Sequence, residues 1–216
     1  MSTAREEILS RVRRAIVDVS EPDPALDVPV EWSYGQSLGT ADVLADLVEK
    51  IEDYRARIVR VPAAEVPDAI VAALAELEAG RVVLPPGLDD AWCAAIAEHC
   101  EVRPDEPPLT ASELNTVDAV VTAAAVAMAD SGTIALDHAP DQGRRALSLV
   151  PDRHVCVVRA DQVVSDVPEG IARLAPAIRA RQPVTWISGG SATSDIELSR
   201  VEGVHGPRKL YVIIAE

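Results

Sequence analysis

The chain has 216 residues, 48% of them hydrophobic and 25% charged, with a formal net charge of −15. That apolar fraction excludes disorder throughout, and the length suits one domain with a sizeable core. So acidic a chain lacks the concentrated Lys/Arg surface that nucleic acid or an anionic membrane requires. The excess acid is uneven: residues 1–130 hold 10 Lys/Arg and 25 Asp/Glu, whereas residues 131–216 hold 10 of each.

Residues 3–18 place Ile8, Leu9, Val12, Ile16 and Val17 at helical spacing, with four arginines on other faces. Residues 20–38 follow, rich in proline and acid, and read as an extended arm pinned by Trp32 and Tyr34. This predicts an N-terminal helix and acidic linker over 1–38 and an α/β domain over 39–216. The start of the chain has charges of both signs and no apolar core of a signal peptide, which points to a cytoplasmic protein. No apolar run is long enough to span a bilayer.

From residue 40 short apolar runs alternate with helical segments. Thr40 is placed to cap a helix over 41–54, and 56–61 reads as a buried strand. Residues 66–78 read as a helix closed by Gly80, 81–85 as a strand, 89–97 as a helix and 100–104 as a strand. Residues 110–115 suggest a short capped turn with Ser112 available as cap. Residues 118–123, 132–137 and 154–159 read as strands, 163–174 as a helix, and 184–188 and 209–214 as the last strands. Such alternation marks a mostly parallel sheet flanked by helices.

Three segments could carry chemistry. Residues 187–207, ISGGSATSDIELSRVEGVHGP, run from a strand through a glycine pair and hydroxyl residues toward a helical turn at 195–198. Backbone N–H groups at Gly189, Gly190 and Ser191, with the Thr193 and Ser194 hydroxyls, could cradle an anion beyond the carboxyl ends of the strands. The same residues also fit a tight turn capped by Ser194, with Asp195 and Glu197 complementing its dipole. The loop matches neither GxGxxG nor a Walker sequence.

The second segment is ADSGTIALDH, residues 129–138. Ser131, Gly132 and Thr133 precede a strand and Asp137-His138 follow it, so His138 could serve Ser131 as proton carrier, although adjacent strand residues point to opposite faces. In the third segment His205 sits between Gly203 and Gly206 on a stiff turn, placed to titrate near neutrality or to bond its own turn. Arg144 and Arg145 could clamp a carboxylate or phosphate, or be solvated. Cys93, Cys100 and Cys156 have no CxxC spacing and read as reduced, buried thiols, the first two on one helix face. The four histidines form no HxH or HxxxH pair, so no metal site is expected.

At these residues the sequence resembles the LUD-domain family of the lactate utilisation type. The closing run ISGGSATSDIELSRVEGVHGPRKLYVII, the ADSGTIAL strand entry and LVPDRHVCVVRADQVV carry the resemblance, which is strong over 110–216 and looser over 40–110. It implies a Rossmann-like fold of the sugar-phosphate isomerase and CoA-transferase type. It also implies a non-redox subunit in the cytoplasmic oxidation of L-lactate to pyruvate. That subunit would have no cofactor of its own, and iron–sulfur clusters would sit on two partner proteins. The matching positions are Ser131, Gly132, Thr133, Gly189, Gly190, Ser191, Ala192, Thr193, Asp195, Glu197, Gly203, His205 and Gly206. Asp130 stands where the family usually has glutamate. The resemblance assigns no catalytic residue. An alternative reading is an independent enzyme or sensor taking a carboxylate, phosphate or acyl-CoA at the 188–205 loops. There Glu197 would be the acid/base or nucleophile, His205 the proton carrier and the Gly189–Ser191 amides the oxyanion cradle.

Overall fold

The computed structural model describes residues 3–20, 23, 26, 39–193, 201–202 and 206–216. The chain divides into two units, Met1–Gly35 and Gln36–Glu216. In the first, helix α1 (Ala4–Ala15) opens on a capping box in which Thr3 and Glu6 satisfy each other's backbone N–H groups. It buries none of its residues, and Ile8, Val12 and Ile16 repeat every four residues along it, all exposed.

The second unit is built on a six-stranded parallel sheet. Its strands are β1 (Arg57–Val61), β2 (Arg81–Leu84), β3 (Glu101–Pro104), β4 (Ala119–Ala123), β7 (Arg153–Arg159) and β12 (Lys209–Ala215), in the spatial order β1-β12-β7-β4-β2-β3. Both faces of the inner strands are covered, which is why β2, β4, β7 and β12 read as mostly apolar runs, whereas the edge strands β1 (RIVRV) and β3 (EVRP) carry exposed charged residues. Helices α3 (Val66–Glu76) and α4 (Asp90–His99) cover the face presenting Val82, Val121, Val155, Val157 and Ile213. On the opposite face Cys156, Val158, Val212 and Ile214 meet Leu47 and Ile51 of α2 (Val43–Asp53). The short helix α5 (Ala111–Leu114) brings Leu114 against Val83 and Val120.

A second, four-stranded sheet lies against that face, in the order β8-β5-β6-β9: β5 is Val126–Met128, β6 Thr133–Leu136, β8 Val163–Val164 and β9 Thr185–Ile187. The four-residue connection between β5 and β6 forces an antiparallel hairpin, and β9 pairs antiparallel with β6. The strands predicted at 132–137 and 184–188 therefore belong to this sheet and not to the parallel one. Helix α6 (Val167–Arg179) packs Leu174 onto it. The two-residue strands β10 (Ala192–Thr193) and β11 (Val201–Glu202) pair antiparallel.

Several boundaries differ from the sequence reading. Asp42, not Thr40, caps α2, because its Oδ1 accepts from both Leu44 N and Ala45 N. The left-handed residue beyond α3 is Glu78 (φ 55), not Gly80, whose N–H instead donates to Asp118. Thr110 takes the place expected of Ser112 and forms a capping box with Glu113. Residues 163–164 pair as a strand, and the helix begins only after its cap Asp166, running past the expected Leu174 to Arg179 with Pro176 inside it. Cys100 is the extended cap residue of α4, so it shares no helix face with Cys93.

Candidate functional site

The hairpin turn at 129–132 and the loop after β9 come together around the end of α2. Tyr54 closes that helix, and Arg55 turns the chain with φ 62. The Tyr54 hydroxyl donates to Ser131 O at 3.2 Å. Gly132 (φ 61) lies so close to α2 that a Cβ there would stand 2.7 Å from Lys50 Cβ and 3.1 Å from the Tyr54 ring. Gly189 (φ 86) approaches the same tyrosine, with a Cβ position 2.6 Å from Tyr54 Cβ. One aromatic side chain is thus clasped between two left-handed glycines from segments far apart in sequence. Thr133 Oγ1 and Ser188 Oγ, 2.9 Å apart, tie the two segments directly.

The loop continues onto the entry to β12. A Cβ at Gly190 would stand 2.5 Å from Arg208 O, and Ser191 N donates to Pro207 O at 2.7 Å. Gly206 (φ 140) faces Ser191 across an ordinary contact distance. The glycine pair is therefore required by protein packing: Gly189 admits Tyr54, and Gly190 admits a backbone carbonyl. Ser131, Gly132, Thr133, Gly189, Gly190 and Ser191 form one locus. Ala192 and Thr193 follow in β10. Asp195, Glu197, Gly203 and His205, with the turn expected at 195–198, lie outside the described residues, as do Trp32 and Tyr34 of the expected arm.

The locus sits at the amino ends of β1 and β12, not beyond the carboxyl ends of the parallel strands, because the strand that feeds the loop belongs to the second, mixed sheet. It borders an open cleft of about 360 Å³ walled by Tyr54, Gly190, Arg55, Arg57, Arg208 and Lys209, with Glu76 opposite. Arg57 lies 3.5 Å from Glu76, and Arg208 makes a two-pronged pair with Asp152. Arg55 and Lys209 form no ion pair among the described residues. A chain of net charge −15 thus presents a locally cationic cleft beside its glycine loop. Sequence reasoning missed Tyr54 and Arg55, since nothing local in the sequence links them to residues 131 and 189.

Other expected residues have structural work. His138 Nδ1 lies 2.9 Å from Gly143 O, so that nitrogen carries the hydrogen, and Nε2 is 2.9 Å from Thr185 Oγ1. The ring serves these two partners and not Ser131, whose Oγ is buried without a hydrogen-bond partner. Arg144 grips Asp105 through two bonds of 2.7 and 2.8 Å and also donates to Leu109 O, so it is not a solvated ligand clamp. The guanidinium holds the Asp105 carboxyl below the usual range. The three cysteines are free; Cys156 is buried, and Cys93 and Cys100 are half-buried. Among the described residues no three His, Cys, Asp or Glu side chains are grouped to hold a metal ion, and no helix is long and apolar enough to cross a membrane.

A parallel sheet covered on both faces, with ligand-scale openings at its strand ends, defines an α/β protein of Rossmann-like build. Residues 44–215 match the LUD domain, and the chain belongs to that family. Lactate utilization protein C of Deinococcus radiodurans is 49% identical over 211 residues, covering 98% of this chain and 95% of the relative. Lactate utilization protein C of Bacillus pumilus is 24% identical over 234 residues, covering 97% and 96%. The crystal structure of a DUF162 family protein from Deinococcus radiodurans, at 1.70 Å resolution, matches with a TM-score of 0.72 and 46% identity over 83% of this chain and 99% of that one.

Proposed function

We propose that this chain is a non-redox subunit of a cytoplasmic system that oxidises L-lactate to pyruvate with iron–sulfur partner proteins. The reading rests on the near full-length match to a relative named Lactate utilization protein C. Its three thiols are dispersed, and Cys156 is enclosed in the sheet, so the subunit would leave cluster binding to its partners. We assign the parallel sheet to the sugar-phosphate isomerase and CoA-transferase type. The exposed Ile8, Val12 and Ile16 stripe suits docking of α1, which carries four arginines against two glutamates, into an apolar groove of a partner, while the acid excess elsewhere in residues 1–130 suits a more basic partner surface. Deletion of the gene should abolish growth on L-lactate, and full-length tagged protein should co-purify with iron–sulfur proteins. Ile8→Asp with Val12→Asp should break that association without shifting the melting temperature. Normal growth of the deletion strain together with no co-purified iron–sulfur protein overturns the proposal.

The cationic cleft favours a second reading, an anionic ligand such as a phosphate or acyl-CoA held beside Gly190. Arg55 and Lys209, beside the ion-paired Arg57 and Arg208 and the Tyr54 ring, give such a ligand both charge and an aromatic surface. Coenzyme A or inorganic phosphate should raise the melting temperature of the intact chain, and Arg55→Ala with Lys209→Ala should remove the rise. No rise with either probe sinks this reading.

A further inference from the structure

A second pocket, of about 210 Å³, opens at the other end of the parallel sheet, beyond the carboxyl ends of β4 and β7. Its polar walls are Asp137, Asp141, Gln142, Arg159, Gln162 and Arg173. Crevices at this end of parallel strands are where α/β proteins bind small ligands. At this volume the pocket is below the range that takes a drug-sized molecule, which leaves room for a small metabolite.

The walls are built before any ligand arrives. The loop 137–143, DHAPDQG, is folded over the strand ends: Ala123 N donates to Asp141 O at 3.1 Å, and Gly87 N donates to Pro140 O at 3.1 Å. A side chain at Gly87 would strike Pro140, so the loop seats directly on the turn after β2. Gln142 is buried, and its Oε1 accepts from the N–H groups of Asp137 and His138 at 2.8 and 3.1 Å. Gln162 accepts from Arg159 N and donates to Ala124 O. Backbone groups occupy Gln142 Oε1 and both ends of Gln162, and the Gln142 side chain also bonds the Asp141 carboxyl, so Asp137, Asp141, Arg159 and Arg173 are the charged groups left to recognise a ligand.

The two arginines come from different elements, β7 and α6. Arg173 Nη1 donates to Asp161 O at 2.6 Å, and Arg159 Nε stands 3.7 Å from the exposed Asp161 carboxylate. Each fork thereby keeps N–H donors beyond those contacts. Asp141 faces them with Oδ1 buried and unpartnered.

We infer that this pocket is a binding site for a small carboxylic acid carrying a second oxygen, with Arg159 and Arg173 taking the carboxylate and the Asp141 carboxyl bonding the second oxygen. Burial raises the Asp141 pKa, with a small contribution from the Asp137 carboxylate, while hydrogen bonds from the Gln142 side chain and from its own backbone N–H, and the charge of Arg159, oppose the rise. The other groups around it are Arg173 across the pocket and the Cys156 thiol beneath. The buried Asp141 carboxyl can accept from a ligand hydroxyl or, when it takes up a proton with the incoming anion, donate to a ligand oxygen. The inference stands on this pocket and not on the role proposed above, and it is read by binding to the isolated chain, not by growth.

The test is calorimetric titration of the full-length protein with pyruvate, L-lactate and propionate, the last lacking the second oxygen. Pyruvate or L-lactate should bind at least about tenfold more tightly than propionate, a difference of ~1.4 kcal/mol. Arg159→Gln and Arg173→Gln should each weaken binding about tenfold or more without moving the melting temperature, and Arg159→Lys should recover part of the loss. Arg55→Ala with Lys209→Ala, in the distant cleft, should leave binding unchanged. No binding of either oxygenated acid at ~10 mM, where a millimolar site would be largely filled, overturns the inference. So does binding that survives both the Arg159→Gln and Arg173→Gln changes, or binding that is lost with Arg55 and Lys209.

Discussion

Thr133 Oγ1 lies 2.9 Å from Ser188 Oγ, joining the first residue of β6 to the residue just after β9. Those strands pair antiparallel, so the bond closes the end of a ladder already begun at Ile134 and Ile187. It also holds the turn carrying Ser131 and Gly132 beside the loop carrying Gly189 and Gly190. The two segments most indicative of function in the sequence are one structural unit because a strand pairing makes them so.

Tyr54 makes that unit intolerant of a side chain at Gly189. Gly189→Ala should destabilise the protein by about 2–4 kcal/mol, combining left-handed strain with overpacking. The obstructing atom is Tyr54 Cβ. Tyr54→Ala keeps that atom, so the double variant should be no more stable than Gly189→Ala alone. Thermal denaturation of the three variants checks this, and recovery in the double variant would show that the ring and not the Cβ contact sets the limit.

Much of this architecture is legible in the sequence, for reasons that mark its edge. The strands at 81–84 and 209–215 declare themselves as short apolar runs, since both their faces are buried, and the edge strand at 57–61 does so through Ile58, Val59 and Val61. Which strand pairs with which is not a local property, so Thr185–Ile187 reads like a member of the parallel sheet although it pairs with Thr133–Leu136. The cap is ambiguous in the sequence where two polar residues compete: Thr40 with Asp42, and Ser112 with Thr110. The glycine loop and the Ser-Gly-Thr turn were visible as motifs. Their meeting at Tyr54, 77 residues before Ser131, had no local signal, and neither did Asp105 as the partner of Arg144.

That last pair should govern part of the acid sensitivity. Asp105 is almost enclosed and is held by two guanidinium bonds. Arg144→Ala should cost about 1–3 kcal/mol, because it strands a nearly buried carboxylate. The Asp105 pKa is lowered in the folded state, chiefly by its hydrogen bonds to Arg144. Its stabilisation is therefore present above the unfolded carboxylate pKa and is lost as pH falls through the lower folded value. The stability gap between the natural chain and Asp105→Asn should narrow as the solution is acidified below about pH 4, followed by urea midpoints. A gap that does not change with pH would mean that the carboxylate charge adds nothing.

The thiols should be slow to react. Burial pushes the Cys156 thiol up to about 12 and also raises Cys93 and Cys100. The thiolate is the reactive form, so at neutral pH little of any of the three is available. Ellman's reagent should modify Cys156 only at the rate of unfolding, with Cys93 and Cys100 slower than free cysteine. Immediate modification of all three in the native protein would refute the assignment.

His154 should set a second, less acidic limit on stability. It is fully buried in β7, with Nε2 2.8 Å from Thr122 Oγ1, and burial lowers its pKa from 6.5 to about 4. The unfolded chain therefore binds a proton that the folded chain refuses across that interval. Stability is unaffected by this residue above the unfolded value and falls as pH drops toward the folded one, by about 3 kcal/mol at the lower end. His154→Gln places a non-titrating amide within reach of Thr122. It should lower stability at neutral pH by about 1–3 kcal/mol through imperfect packing, yet flatten the dependence between about pH 6.5 and pH 4. Urea unfolding at several pH values in that window gives both slopes. Parallel slopes for the two proteins would show that the buried imidazole does not carry the titration.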